Sequence, residues 1–403
     1  MKMKRLGIWI IISIMVGVLL PEAVWAIPAF ARRYKMSCTT CHAPIPRLKE
    51  FGEEFAGNGF VIPEEEKKRD YIQKGDDLLW LNRTFPIGAR MDAYALYTPD
   101  SDIKSDMETP WGLKLLSGGA LAKNIGYYFY FYMSERGEVA GIEDAYIHFN
   151  NLFGKELDVM VGQFQTSDPL LKRELRMTFQ DYLIYKNKVG ESNINLTYDR
   201  GIMVVYSLPR TGTDLTGFIV NGNGKGESGT DHIFDDDSFK NFGFRVMQGV
   251  GKYVSVGGFY YRGKEKLLDF SIPNVRVEKL AKPPENEVTY WGPDIHLALP
   301  HLAISGQYLY RKDTTPFGVS DNEAETDAFV AEAIYYPGDE NSRLFFTALY
   351  NQVETNVKTV PKYQTATINA SYLLARNLKL MAEYTRDIEN ETNNFLVGFV
   401  SGF

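Results

Sequence analysis

Two cysteines and one histidine carry the clearest chemistry in this chain. The stretch Cys38-Thr39-Thr40-Cys41-His42 gathers both cysteines of a 403-residue sequence into a single CxxCH. Two thiols at this spacing can each add to a haem vinyl group, and the histidine that follows then reaches the iron from one side. Paired cysteines have two other common uses. A structural zinc site needs a second ligand pair nearby, and residues 27–75 contain no further Cys or His. A thioredoxin-type redox pair sits at a strand-to-helix junction of an α/β domain, a pattern this chain lacks. The motif predicts one covalently attached haem c, held by Cys38 and Cys41, with His42 as proximal ligand to the iron.

The elements that must position this motif begin with its delivery. Lys2, Lys4 and Arg5 precede an apolar run from Ile8 to Leu20, and Val24-Trp25-Ala26 follows as a small-x-small cleavage site. The apolar run is short for a spanning helix, which needs about 20 residues, so residues 1–26 read as a cleaved secretion signal. Export places the chain in the compartment where haem c is attached in bacteria. Removing three basic residues and one acid from totals of 44 and 51 leaves 41 Lys+Arg against 50 Asp+Glu, a net charge of −9. That balance argues against a nucleic-acid partner. Beyond residue 26 no run is long and apolar enough for a transmembrane helix, and mean hydropathy is −0.25. A β-barrel stays open, because its strands offer lipid only alternate residues.

Residues 27–75 form a short helical segment with a proline-rich turn, Ala43 to Pro46, and a helix expected over Arg47 to Phe55. A charged linker, "PEEEKKRDYIQKGDD", follows it. From about Leu79 the pattern turns to period two, so that residues 76–403 read as one unit. Leu378, Leu380, Ala382 and Tyr384 share one face, with Lys379, Met381, Glu383 and Thr385 on the other. Phe329, Ala331, Ala333 and Tyr335 likewise oppose Val330, Glu332 and Ile334. Such runs are about ten residues long and are divided by Gly/Asn/Asp turns such as Asn221 to Gly224. Aromatics make up 14% of the chain and cluster at what read as strand ends, in Tyr260-Tyr261, Tyr308/Tyr310 and Tyr335-Tyr336. The final strand, "NNFLVGFVSGF", closes on Phe403 and resembles the assembly signature of bacterial outer-membrane proteins. The expected fold is all-β: an antiparallel transmembrane outer-membrane barrel of roughly 16 strands, its lumen plugged by the short α-helical segment. Residues 166–188 are too charged and irregular for lipid-facing strands. They read as either an inward-folded or an exposed loop.

The segment "IPAFARRYKMSCTTCHAPIPRLKEFGEEFAGNGF" resembles the N-terminal part of the fused monohaem cytochrome c–porin family of bacterial outer-membrane electron-transfer proteins, best known as iron oxidases. The shared residues are Pro28, Phe30, Ala31 and Arg32, the CxxCH, Pro46, Phe51-Gly52, Phe55 and Asn58-Gly59-Phe60. The resemblance covers about the first tenth of the chain and extends to the barrel only as architecture. It implies electron transfer from an extracellular donor such as Fe(II) to a periplasmic c-type cytochrome or other soluble carrier. Physical chemistry gives the fusion a purpose, because some fifty residues are too few to wall in a haem without help from a barrel.

A second axial ligand has to come from the wall, or the position stays open. Alternation turns His148 inward with Asp144 and Tyr146, and His296 inward with Asp294. Met160, Met203, Met247 and Met381 read as luminal too, and His148, His296, Met160 and Met381 are the candidates for the distal site. Asp231 and Asp235-Asp236-Asp237 mark an acidic loop that could attract Fe(II), although such loops are usually just solvated. The sequence points to an outer-membrane cytochrome moving single electrons, with Fe(II) oxidase as the enzyme activity the resemblance implies. Two alternatives stand beside it: an outward conduit to extracellular acceptors, and a porin whose haem is structural or sensory.

Overall fold

Strands with one apolar and one polar face set each against a matching medium, and closing them on themselves removes every free edge. A computed structural model describes residues 29–62, 65, 85–167, 170–226, 228, 232–235, 237–267, 283–318, 323–338 and 341–403. The expected signal, and residues 63–84 apart from Glu65, lie outside this set. Sixteen strands form a closed antiparallel barrel in which each pairs with its sequence neighbours and the first pairs with the last. They are β1 (Ile87–Tyr97), β2 (Ser105–Ala122), β3 (Ile125–Glu135), β4 (Gly141–Phe149), β5 (Leu157–Gln165), β6 (Tyr198–Leu208), β7 (Thr213–Val220), β8 (Asn241–Val250), β9 (Val254–Lys266), β10 (Glu285–Leu299), β11 (Leu302–Asp313), β12 (Ala324–Tyr335), β13 (Leu344–Thr355), β14 (Tyr363–Ala375), β15 (Leu378–Asp387) and β16 (Thr392–Gly402). Both barrel ends of the chain lie at the rim carrying the short turns. Longer loops occupy the opposite rim.

The alternation decides which way each side chain points. In β15, Lys379, Met381, Glu383 and Thr385 are buried in the lumen while Leu380 faces out. In β12, Glu332 and Val330 are buried, and Phe329 and Tyr335 project outward. β2 begins at Ser105, and its first residues are mostly exposed. One detail differs from expectation. Tyr260, Trp291 and Tyr310 form an outward row inside their strands rather than at the ends. β9, β10 and β11 run 13, 15 and 12 residues, longer than a membrane crossing requires, so the interface falls within them.

The hydrophobic core lies inside the barrel. The segment between β5 and β6, whose placement the sequence left open, folds inward with short 3-10 turns at Arg173–Leu175 and Leu183–Tyr185. Tyr182, Ile184, Tyr185, Ile194 and Leu196 pack against inward side chains that include Phe218, Tyr261, Val288 and Leu309. A buried loop must satisfy its backbone, and luminal polar groups do so. Glu383 accepts from the amides of Phe179 and Gln180 at 2.7 and 2.8 Å. Asn351 accepts from Leu183 N at 3.1 Å, and Arg311 donates to the carbonyls of Asn187 and Ile194 at 2.9 Å each. Tyr185 donates to Gln307.

One loop carboxylate sets an acid limit for this arrangement. Burial alone would raise the Glu174 pKa, but the charges of Lys114, Arg176 and Arg90 hold it at about 2. Its stabilising contribution is complete above the unfolded value of about 4.3 and is lost as pH falls through about 2. Glu174 itself is therefore expected to stay charged from pH 7 to 4, so that Glu174→Gln changes single-channel conductance by the same factor at both values. An effect of the substitution that vanishes by pH 4 would contradict this pairing.

Candidate cofactor site and its seat in the barrel

The CxxCH occupies a single helical turn, α2 (Cys38–Cys41), between α1 (Ala29–Tyr34) and α3 (Glu50–Gly57). Ser37 caps the turn, its hydroxyl accepting from Thr39 N at 3.4 Å. Residues three apart on a helix share a face, so one turn sets both sulfurs on the same side. Both cysteines are free thiols, and burial pushes each pKa up. His42 leaves the helix in extended backbone, at φ −122°. Its Nδ1 lies 2.7 Å from the Pro46 carbonyl oxygen, which can only accept. Nδ1 therefore carries the proton and Nε2 keeps its lone pair. Burial lowers the His42 pKa, which favours this neutral form.

The expected helix from Arg47 starts later, at Glu50, because its first residues turn back to the motif. His42 pairs with Leu48 in an isolated antiparallel bridge, and the Ala43 amide donates to Arg47 O at 3.1 Å. Lys49 N donates to Cys41 O at 2.9 Å. α3 then packs so closely that a Cβ on Gly52 would run into the Cys41 carbonyl. Gly52→Ala is expected to cost about 1–3 kcal/mol locally, the usual penalty for overpacking. Haem stain per unit of barrel should fall several-fold, and unchanged stain would show that the approach is relaxed in solution.

The segment sits against the inner wall near the short-turn rim. Phe30 stacks on Phe60 at 5.1 Å and meets Phe55 edge-on at 5.4 Å, while Phe60 stacks on Tyr128 of β3 at 4.7 Å. Gly59, at φ +69°, lies against Gly126 of the wall, where a Cβ would come within 2.5 Å of the Gly59 carbonyl oxygen. Asn150 donates to Asn58 O at 2.7 Å, and Asn151 donates to Asn58 Oδ1 at 3.0 Å. Deeper in, Arg47 pairs with Glu332 of β12, whose side chain is 1% exposed, and donates to the Tyr182 hydroxyl at 3.1 Å. Tyr182 in turn donates to Glu332 at 2.9 Å, so segment, inward loop and wall meet at one point. Lys172 adds an ion pair to Glu53 at 3.0 Å.

Cys38, Cys41 and His42 thus come together on one turn, whereas the wall candidates are spread over strands β4, β5, β10 and β15, and His148 Nδ1 is buried with no hydrogen-bond partner among the described residues. His148 is buried, with Nε2 3.9 Å from Asp158 Oδ2. His296 is held by Ser305 Oγ at 3.0 Å and Asp294 Oδ1 at 3.4 Å. Met160 packs against the luminal core, and Met381 belongs to a cluster with Tyr94 and Trp111. Asp235 and Asp237 are engaged within their own loop, accepting from Ser238 N at 3.0 Å and from Phe239 N at 2.7 Å. Asp231 and Asp236 lie outside the described residues. Among the described residues no cluster of three His, Cys, Asp or Glu could hold a metal ion. A luminal cavity between Tyr94, Trp111, Glu174 and Arg176 has a volume of only about 10 Å³, room for about one water molecule.

Sequence reasoning missed Glu332, Tyr182, Asn150 and Gly126 as parts of the seat. Two of them carried a signal. Gly126 interrupts a strand pattern, which marks a close backbone approach, and Glu332 is a carboxylate at an inward position that needed a partner.

No family model and no curated protein matches the chain. Its fold does match solved structures. A loop L8 deletion mutant of OmpT, an outer-membrane protein of Vibrio cholerae, has 12% identity and a TM-score of 0.56 over 79% of this chain and 99% of its own. An anion-selective porin from Comamonas acidovorans gives 11% and 0.55, again over 79% and 99%. OmpF of Salmonella typhi, solved with daunomycin, gives 10% and 0.56 over 82% and 100%. At these identities the likeness is one of fold. The chain has the closed, sixteen-stranded antiparallel barrel fold of these outer-membrane porins.

Proposed function

We propose that this barrel carries one haem c on its N-terminal segment and passes single electrons across the outer membrane. The observation that supports this best is the pairing of CxxCH with the Pro46 carbonyl at His42 Nδ1. Histidines that bind metal through one ring nitrogen usually donate the other N–H to an acceptor of this kind. The residues fit the group: Cys38 and Cys41 would form the thioethers, and His42 Nε2 would face the iron. Bound there, a haem c would supply one-electron redox chemistry.

The chain's own residues have defined tasks. Pro46 fixes the imidazole tautomer and ring orientation. Phe30, Phe55 and Phe60, with Tyr128 of the wall, join the segment to the barrel through apolar contact. The inward loop and the Arg47–Glu332 pair occupy the lumen beside the segment. In the favoured direction an extracellular donor such as Fe(II) gives up an electron, and a periplasmic cytochrome or other soluble carrier receives it. The opposite direction, outward to an external acceptor, uses the same parts. Haem and partner potentials decide between the two.

A diffusion porin is the second reading, favoured by the porin fold of the matched barrels. A porin would conduct small solutes through an open lumen, whereas the loop and segment here bury much of the luminal wall. Stopped-flow mixing of the oxidised protein with Fe(II) tests the proposal. Rapid change of a haem Soret band is expected, while a colourless protein with high conductance would leave the porin.

A further inference from the structure

The two rims of the barrel differ in charge. Six of the seven short turns each carry one cation: Lys123, Lys155, Arg210, Lys252, Arg343 and Arg376. Against them the turn sequences carry three carboxylates, Glu156 and, in residues outside the described set, Asp339 and Glu340. None of the six cations pairs with a described carboxylate. Lys123, Lys155, Arg210 and Lys252 are exposed, while Arg343 donates to the carbonyls of Leu373 and Leu374 at the end of β14 and Arg376 to that of Asn341. At the other rim the strand tops are rich in acids, among them Asp106, Glu108, Glu285, Glu325, Glu354 and Asp387. Short turns of such barrels face the periplasm and long loops face outward.

One of the six, Arg376, lies beside the candidate cofactor turn. Arg32 donates to the Ile87 carbonyl at the start of β1 and is exposed, as is Lys35. The Arg376 charge acts on the Cys38 thiol, and that of Lys49 on Cys41, both against the larger upward effect of burial. A protein approaching from the periplasm therefore meets an excess of cations on the turns, beside a segment that exposes Arg32 and Lys35 together with Glu50, Glu53 and Glu54. Net charge on the whole chain is −7, so this excess is a local feature opposed to the overall balance.

We infer that the short-turn rim is a docking surface for a soluble redox protein whose own redox centre lies within an acidic face. The inference rests on the electron-transfer reading, which supplies the class of partner, and it adds where that partner binds and by what charge. Complementary fields raise encounter rates and orient the partners before contact, and both effects weaken with salt. The acidic outer rim repels the same partner, which makes the recognition one-sided. Anionic phospholipid headgroups are the competing occupants of turn cations.

The test uses the full-length protein in zwitterionic nanodiscs, with two probes of opposite surface charge. These are the acidic soluble domain of cytochrome b5 and the lysine-rich cytochrome c, with binding followed by surface plasmon resonance. The acidic probe should bind at least ten-fold more tightly than the basic one at 20 mM salt, and its association rate should fall at least ten-fold by 200 mM. The quadruple variant Lys123→Glu, Lys155→Glu, Arg210→Glu, Lys252→Glu should reverse the preference, and the corresponding quadruple Gln variant should abolish it. Heat-modifiable migration on gels checks that each variant barrel is folded, and the Gln set serves if the Glu set misfolds. Equal binding of both probes, or a preference unmoved by the variants, would overturn the inference. So would variants that only lose co-purified phosphatidylglycerol, since the cations would then serve lipid. Charge-selective binding without any redox change in the probe would leave the docking surface standing and remove the electron-transfer reading.

Discussion

Replacing Cys38 and Cys41 together with alanine is expected to remove all covalently held haem while leaving the barrel folded. The thiols are the only two in the chain, so no other side chain can form a thioether. The barrel does not depend on them: each of the sixteen strands is hydrogen-bonded to two neighbours, and the luminal core is built from loop and wall residues. Haem-stained denaturing gels and a pyridine haemochrome spectrum read the loss, and heat-modifiable migration reads the fold. The single variants should each keep one attachment point and show reduced yield. Haem that survives denaturation in the double variant would contradict the assignment of these residues.

The second large effect is expected at Arg47. Its partner Glu332 is buried on β12, and Tyr182 of the inward loop is hydrogen-bonded to both. Removing one member of a buried ion pair leaves the other charge uncompensated, at a cost of about 3–5 kcal/mol. That is a shift of about a hundred-fold or more in the equilibrium between docked and released segment. Arg47→Ala should therefore make the segment sensitive to protease from the short-turn side and raise channel conductance. The double variant Arg47→Ala, Glu332→Gln should recover much of the docking, because both charges are gone. Protease resistance equal to wild type in the single variant would mean that the aromatic and asparagine contacts hold the segment alone.

The barrel was legible because its signal is local and repeated. Leu378 to Thr385 announces an inward and an outward face within eight residues, and the same period recurs along the chain. The gathering of Cys38, Cys41 and His42 on one turn was legible for the same reason, since all three lie within five residues. What could not be read are contacts that join distant residues through the lumen. Tyr182 and Glu332 are 150 positions apart, and Phe179 and Glu383 are 204 apart. Neither side chain of such a pair carries a local mark of its partner. The inward loop was ambiguous because its charged residues, Arg173, Glu174, Arg176 and Asp181, resemble those of a solvated loop. They are in fact neutralised by one another and by Lys114 from the wall. Gly126 shows the middle case, a residue whose type was informative only as a question.

Whether electrons cross the membrane through this chain separates an electron carrier from a pore most directly. The protein should be reconstituted in liposomes that enclose oxidised cytochrome c, with Fe(II) chelated by citrate added outside. Reduction of the enclosed cytochrome is expected with the wild-type protein and should be absent with the Cys38→Ala, Cys41→Ala variant. Enclosed cytochrome that stays oxidised with both proteins, in liposomes that swell in small sugars, would contradict the account and leave a diffusion pore.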